Sequence, residues 1–334
     1  MKSIYSKFIP FLLLVFFSCE DNPLKVEVKT PDEPIKIKRF DQDVFKINRA
    51  NVDKEKYNLA KNYPMFFQVD DNNPKLIMQL LEYIEAPLDQ ELHQEVDKKY
   101  KDLSLLEGQL TEGFSYYQHY FPKEKTPDFY AYISSLLAFE KPIIWEDSAN
   151  FMIICLDMYL GSGYKPYYMQ PLNLYQYQTY KMQEKFIPVD VFQTIARTKY
   201  ENLEYEGKTM IEKMISEGKV QYFVNAMLPS TEDSTRLKYT SKQMEWAKNS
   251  ELGVWRYFVD KKFLHSEDYV VYKKYLEDGP FFRAEEPDSP GRIGVYIGYK
   301  IVKSYMENNK VSLDELMKDK NLLKIFQKSK YKPD

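Results

Sequence analysis

Hydrophobic and polar positions change their period several times along this chain, and the changes divide it. Residues 40–45 (FDQDVF) open the ordered part. From 75 to 120 the period is helical. Ile77, Leu80, Leu81 and Ile84 recur three and four apart, residues 91–100 are polar, and a stripe with Phe114, Tyr117 and Phe121 resumes over 103–121. Such spacing collects side chains on one helix face. After Pro122 the pattern becomes short apolar runs. Residues 129–133 (FYAYI), 142–145 (PIIW) and 150–156 (NFMIICL) read as strands, the last two joined by the turn-like Glu146-Asp147-Ser148. A small sheet with a hairpin is predicted over about 128–156.

Residues 164–183 carry six tyrosines and two prolines and read as a loop or short irregular helices. Helical spacing then returns. One helix is predicted over 189–203, opened by Pro188, capped by Asp190 or a neighbour, with Phe192, Ile195 and Leu203 as its buried face. Others are predicted over 209–228, 241–263, 268–277, 293–308 and 312–318. The third has Thr240 or Ser241 as N-cap, with Gln243 or Glu245 near the box position. Gly279-Pro280 opens a loop that runs through Pro290-Gly291. No internal repeat interrupts this order. Helices, a small sheet and many helices in succession predict one continuous, predominantly helical α+β domain.

Composition excludes several kinds of chemistry. The 334 residues are 44% hydrophobic and 29% charged, which is ordinary for a globular protein. A net charge of -3 gives no electrostatic reason to bind nucleic acid, so no nucleic-acid partner is expected. With 11 glycines and neither GxGxxG nor GxxxxGK[ST], a phosphate cradle is not expected. The three histidines, His93, His119 and His265, never fall within five residues of one another, so HExxH is absent. A zinc site built from these histidines is therefore not expected, and no metal or other cofactor is assigned. Aromatic residues make up 16% of the chain and include 29 tyrosines, which points to a core built on ring packing.

The first residues read as an address. Lys2 and Lys7 precede the 10-residue apolar run 8–17 (FIPFLLLVFF), too short to span a bilayer, and Ser18-Cys19 follow. The stretch 15–19 (VFFSC) resembles a bacterial lipobox. Residues 1–18 are then a lipoprotein signal peptide, and Cys19 carries the lipid, a far stronger anchor with several acyl chains than with one. Removing Lys2 and Lys7 with the leader takes the mature charge to about -5. Glu20 and Asp21 either resemble a surface-export signal of lipoproteins in some gliding bacteria or form a solvated leader. Residues 19–38, charged and with three prolines, read as a lipidated tether, leaving 39–334 as the folded domain. The expected location is the cell envelope, with the outer membrane favoured over the inner. The remaining cysteine, Cys155, lies in an apolar run and reads as a small core residue.

Several fragments occur together: 155–163 (CLDMYLGSG), 214–222 (MISEGKVQY), Glu245-Trp246, Trp255, Asp278-Gly279-Pro280-Phe281, 290–306 (PGRIGVYIGYKIVKSYM) and 329–333 (SKYKP). In this order, and behind a lipobox, they resemble the gliding-motility lipoprotein family GldB over nearly the whole mature chain. The stretch 290–306 is the most specific. That family is similar to predicted zinc peptidases of gluzincin-like layout, which implies a zincin-like small antiparallel or mixed sheet flanked by helices. In that layout two histidines one helical turn apart hold zinc, a glutamate between them activates water, and a later helix supplies a third ligand. Here the equivalent helix, 189–203, has no histidine, and Glu217 is left as the remnant of the third ligand.

The resemblance thus implies a scaffold without its chemistry. It would be a membrane-anchored, non-catalytic component of the gliding and associated secretion machinery that binds other envelope proteins. The alternative is an envelope hydrolase acting on peptide or glycan. Asp157, Glu217 and Arg292 are the candidate polar site. Glu217 is either a ligand remnant or a structural acceptor. Asp157 with Glu217 would suit glycoside hydrolysis only at a carboxyl separation of about 5–10 Å. Arg292, opening a helix beside glycines, suits an ion pair with a buried carboxylate such as Asp157 or Glu217. Gly161-Ser162-Gly163 lacks the GxSxG spacing and reads as a tight turn. The tyrosines from 159 to 180 either pack on the core or form a stacking surface for glycan or peptide.

Overall fold

The computed structural model describes residues 22–31, 33–67, 74–200 and 207–333. In chain order, β1 (Ile37–Lys38) is followed by α1 (Phe40–Asp43), α2 (Val52–Asn62), α3 (Pro74–Glu85), α4 (Pro87–Lys99) and α5 (Ser104–Tyr120). The rest of the sheet comes next: β2 (Asp128–Tyr132), β3 (Ile143–Glu146) and β4 (Phe151–Cys155). Then come α6 (Gln176–Thr179), α7 (Ile187–Lys199), α8 (Met210–Met227), α9 (Asp233–Arg236), α10 (Ser241–Asn249) and α11 (Glu251–Asp260). The chain closes with α12 (Tyr269–Leu276), α13 (Ile293–Asn308), α14 (Leu313–Lys318) and α15 (Leu322–Ser329). The architecture is α+β and predominantly helical, as the periodicity predicts.

The sheet is mixed, in the order β1-β2-β4-β3. β2 runs parallel to both β1 and β4, pairing Ile37 with Phe129 and Ala131 with Ile154. β3 returns antiparallel on β4, which is the expected hairpin. Phe129, Ala131, Met152, Ile154 and Cys155 are buried, since helices cover the sheet and leave its central strands no wet face.

α8 is the axis of the helical part. From Met214 to Met227 every residue is buried, so the helix is surrounded on all sides. Its start is set by a capping box in which Thr209 and Glu212 satisfy each other's backbone. α13 crosses it where both helices carry glycine. A Cβ on Gly298 would overlap the Met214 carbonyl, and one on Gly218 would overlap the Gly298 carbonyl. The glycines therefore serve an approach of two backbones inside the domain. α7 packs between α8 and the sheet with Phe192, Ile195 and Ala196 buried, two of the three residues expected on that face. Leu203 lies outside the described residues.

Three expectations are corrected. The helix predicted over 241–263 is two helices broken at Ser250, whose ψ of 5° ends α10. Asp190 does not cap α7; Pro188 opens the helix and Asp190 points into an ion pair. The segment expected to be a free tether lies on the domain from Asn22 onward. Asn22 donates to Asn225 Oδ1 (2.8 Å) and to the Pro229 carbonyl (3.0 Å), and Tyr116 donates to the Val26 carbonyl at 3.0 Å. Further along, the Ile35 amide donates to Thr111 and the Ile37 amide to Glu107, while both isoleucine side chains are buried. No helix among the described residues is long and apolar enough to cross a membrane.

Candidate functional site

Two of the three residues singled out in the sequence come together. Glu217 sits midway along α8 on the side facing the last turn of α7. Arg197 reaches it from that turn with a two-point fork, Nη1 to Oε1 and Nη2 to Oε2, each 2.9 Å. Guanidinium and carboxylate planes match in this arrangement, which makes it stronger than a single-point pair. Arg292, immediately before α13, adds Nη2 to Oε2 at 3.2 Å and turns its Nε to the Leu276 carbonyl at 3.2 Å. Burial alone would raise the Glu217 pKa, but Arg197 and then Arg292 outweigh it and hold the carboxyl below its usual value.

The pair belongs to a longer charged cluster. Arg292 Nε lies 3.6 Å from Asp278, which is itself paired with Lys181. Burial works against the Asp278 charge, but Lys181 and Arg292 prevail and bring it to about 2. The Asp278 side chain is 45% exposed, so water screens part of that effect. Burial pushes the Lys181 ammonium down to about 8 despite Asp278. Nearby, Asp190 in the first turn of α7 pairs with Lys238 and accepts from the Tyr159 hydroxyl at 2.9 Å. Tyr239 closes the cluster by donating to the Arg292 carbonyl at 2.8 Å, and Tyr180 donates to the Tyr239 carbonyl at 3.1 Å.

Asp157 lies apart from these residues in its bonding. It is fully buried; Oδ1 accepts from the Ser134 amide (2.9 Å), and Oδ2 from the Ser134 hydroxyl (2.8 Å) and the Leu136 amide (2.9 Å). Burial pushes its pKa up while the three donors pull it down. It secures a turn in which Ser135 and Leu136 hold φ of 56° and 62°, a conformation non-glycine residues rarely adopt. The expected Arg292–Asp157 alternative is therefore replaced by Arg292–Glu217.

Gly161, with φ of 108°, makes the tight turn expected at Gly161-Ser162-Gly163. The tyrosine segment divides. Tyr167 is buried and takes the Leu160 amide on its hydroxyl at 3.0 Å, whereas Tyr175 is 68% exposed and stacks on Tyr177 with ring centres 6.0 Å apart. Cys155 is buried and unpaired, and burial raises its thiol pKa. Cys19 lies outside the described residues.

The arrangement does a specific chemical task. A carboxylate gripped by two guanidinium groups and kept ionised is a poor proton acceptor at neutral pH, and three guanidinium N–H groups already donate to Glu217. What Glu217 does here is hold α7, α8 and the start of α13 together. Among the described residues, no three His, Cys, Asp or Glu side chains gather closely enough to hold a metal ion. The sequence reading missed Arg197, Lys181 and Lys238, and it took Asp190 only as a helix cap and Asp278 only as part of a family fragment. Arg197 carried no signal in the period: it lies two and five residues from Ile195 and Phe192, which turns it away from their face of α7, and it meets Glu217 only through tertiary packing.

An α+β domain on a helical axis, with a buried ion cluster and an N-terminal segment laid along its surface, is the class of protein this defines. The profile of the family described as gliding motility protein GldB matches residues 21–333. The chain belongs to that family of gliding-motility lipoproteins, and its role lies in gliding motility at the cell envelope. Comparison with curated proteins finds no match, and comparison with solved structures finds none.

Proposed function

We propose that this protein is a lipid-anchored, non-catalytic component required by the gliding machinery and its associated secretion apparatus. It is anchored through Cys19 and acts by binding other envelope proteins, with the outer membrane as its site. The observation that carries this reading is the Arg197–Glu217–Arg292 cluster. On the zincin-like layout, Glu217 takes the place of a metal ligand. Two guanidinium groups bind that carboxylate, and they supply positive charge from the protein itself. α7, in the place of the zinc-binding helix, faces Glu217 with Arg197 rather than histidine.

The rival is an envelope hydrolase, and metal content separates the two. The purified protein is expected to carry well under one zinc per chain and to cleave no peptide from envelope extracts. About one zinc per chain, lost in Glu217→Ala, would overturn the non-catalytic reading. Its positive counterpart is recovery of defined envelope proteins with the lipidated chain, abolished together with gliding when the chain is absent.

A further inference from the structure

The N-terminal segment is fastened to the domain at its first described residue. Asn22 bonds to Asn225 near the end of α8 and to the Pro229 carbonyl just beyond it, and Leu24 packs on the core. From there the segment runs back along α5, touching Tyr116, Thr111 and Glu107 in turn, and ends as β1 at the edge of the sheet. Glu107 takes the Ile37 amide and pairs with Lys36 at 2.7 Å, so the far end is fixed as well.

Only three peptide steps separate Asn22 from Cys19. Successive Cα atoms are 3.8 Å apart at most, so the Cys19 Cα lies within about 11 Å of the Asn22 Cα whatever path the chain takes. Lipid on Cys19 puts acyl chains into the bilayer and the Cys19 backbone at its headgroups. We infer that the domain is held flush against a phospholipid bilayer, with the 228–231 turn after α8 and the Asn22–Val26 segment as its membrane-facing surface. It is not suspended on a flexible spacer. This rests on the lipid-anchor reading of Cys19 proposed above. Pro23, Lys25, Val26 and Ser230 are exposed and make up this surface. Envelope partners must then approach the domain from its sides or from the face away from the membrane.

The test uses the full lipidated chain in phosphatidylcholine vesicles containing a headgroup nitroxide. A fluorophore on Ser230→Cys reports proximity, and labelling is selective because Cys155 is buried and Cys19 is acylated. A second chain has a 20-residue Gly-Ser insertion between Asp21 and Asn22, which gives the anchor a reach of about 25 Å more. Flotation with the vesicles is measured first. Flotation that persists in Cys19→Ala would overturn the anchor reading, and this inference with it. With Cys19-dependent flotation in both chains, the Ser230 probe is expected to be strongly quenched in the native-length chain and severalfold less quenched with the insertion. Equal quenching in the two would overturn flush docking while leaving the anchor intact.

Discussion

Glu217 joins two guanidinium groups, Arg197 from α7 and Arg292 at the start of α13. Truncating it strands two guanidinium groups in a largely buried place, and breaking a buried pair from one side costs about 3–5 kcal/mol. Glu217→Ala should therefore lower the urea midpoint markedly, and Glu217→Gln should do nearly as much, since the amide keeps the shape but not the charge. The pH dependence has a definite sign. Glu217 and Asp278 are both held below their ordinary values, Asp278 to about 2. Their stabilisation is complete above the unfolded carboxylate pKa of about 4 and is lost as pH falls through the folded values. Asp157 is shifted upward, so its contribution has the opposite sign and is lost as pH rises through its folded value. Unfolding monitored between pH 5 and pH 2 should show stability falling with acid, and Glu217→Gln should flatten that fall. An unchanged slope would mean that the cluster does not govern acid unfolding.

At the scale of elements, the α8–α13 crossing makes a contrast between two glycines. Glycine in a helix interior is disfavoured by about 1 kcal/mol against alanine, so Gly→Ala stabilises wherever there is room. Gly253 in α11 has nothing within 4 Å of where its Cβ would lie, and Gly253→Ala should gain part of that amount. At Gly298 the new atom would overlap a backbone carbonyl, which cannot swing aside as a side chain can. Gly298→Ala should therefore lose about 1–3 kcal/mol by overpacking. Thermal unfolding of the two variants gives opposite shifts if the crossing is internal packing; similar shifts would refute it. Much of this layer was legible in the sequence. Long stripes such as that of Phe114, Tyr117 and Phe121 predict α5 because period and length agree. The short apolar runs of β2, β3 and β4 were equally plain, while the cap stood between Thr240 and Ser241 and the box position between Gln243 and Glu245 until the fold selected Thr240 and Gln243. The break at Ser250 was not, because apolar spacing continues on both sides and only the backbone angles change. Nor was α15, whose eight residues give too few periods to stand out from the polar tail. In the cluster, the Glu217–Arg292 pair was foreseeable as types, whereas Arg197, Lys181 and Asp278 meet only through tertiary packing.

For the whole molecule, the boundary of the folded domain matters most. Charged residues and prolines made 20–38 read as a tether, although Ile35 and Ile37 alternate with lysines, which is the period of a strand with one buried face. A two-residue strand gives no more signal than that. In the fold both isoleucines are buried, at 7% and 5% exposure, and β1 covers the outer edge of β2. A chain beginning at residue 39 loses both. Each isoleucine contributes about 1.5–3 kcal/mol as an upper estimate, or roughly 3–6 kcal/mol together. The same cut frees the edge of β2 and leaves Glu107 without the Ile37 amide and Lys36. An uncovered strand edge is a template for pairing between molecules. Residues 39–334 should therefore unfold at a clearly lower urea concentration than residues 20–334 and should self-associate as concentration rises. Restoring residues 33–38 alone should recover most of the midpoint, because that short stretch supplies both isoleucines and the strand. Equal midpoints for the long and short chains would show that the segment adds no stability and would restore the reading of 20–38 as a simple spacer.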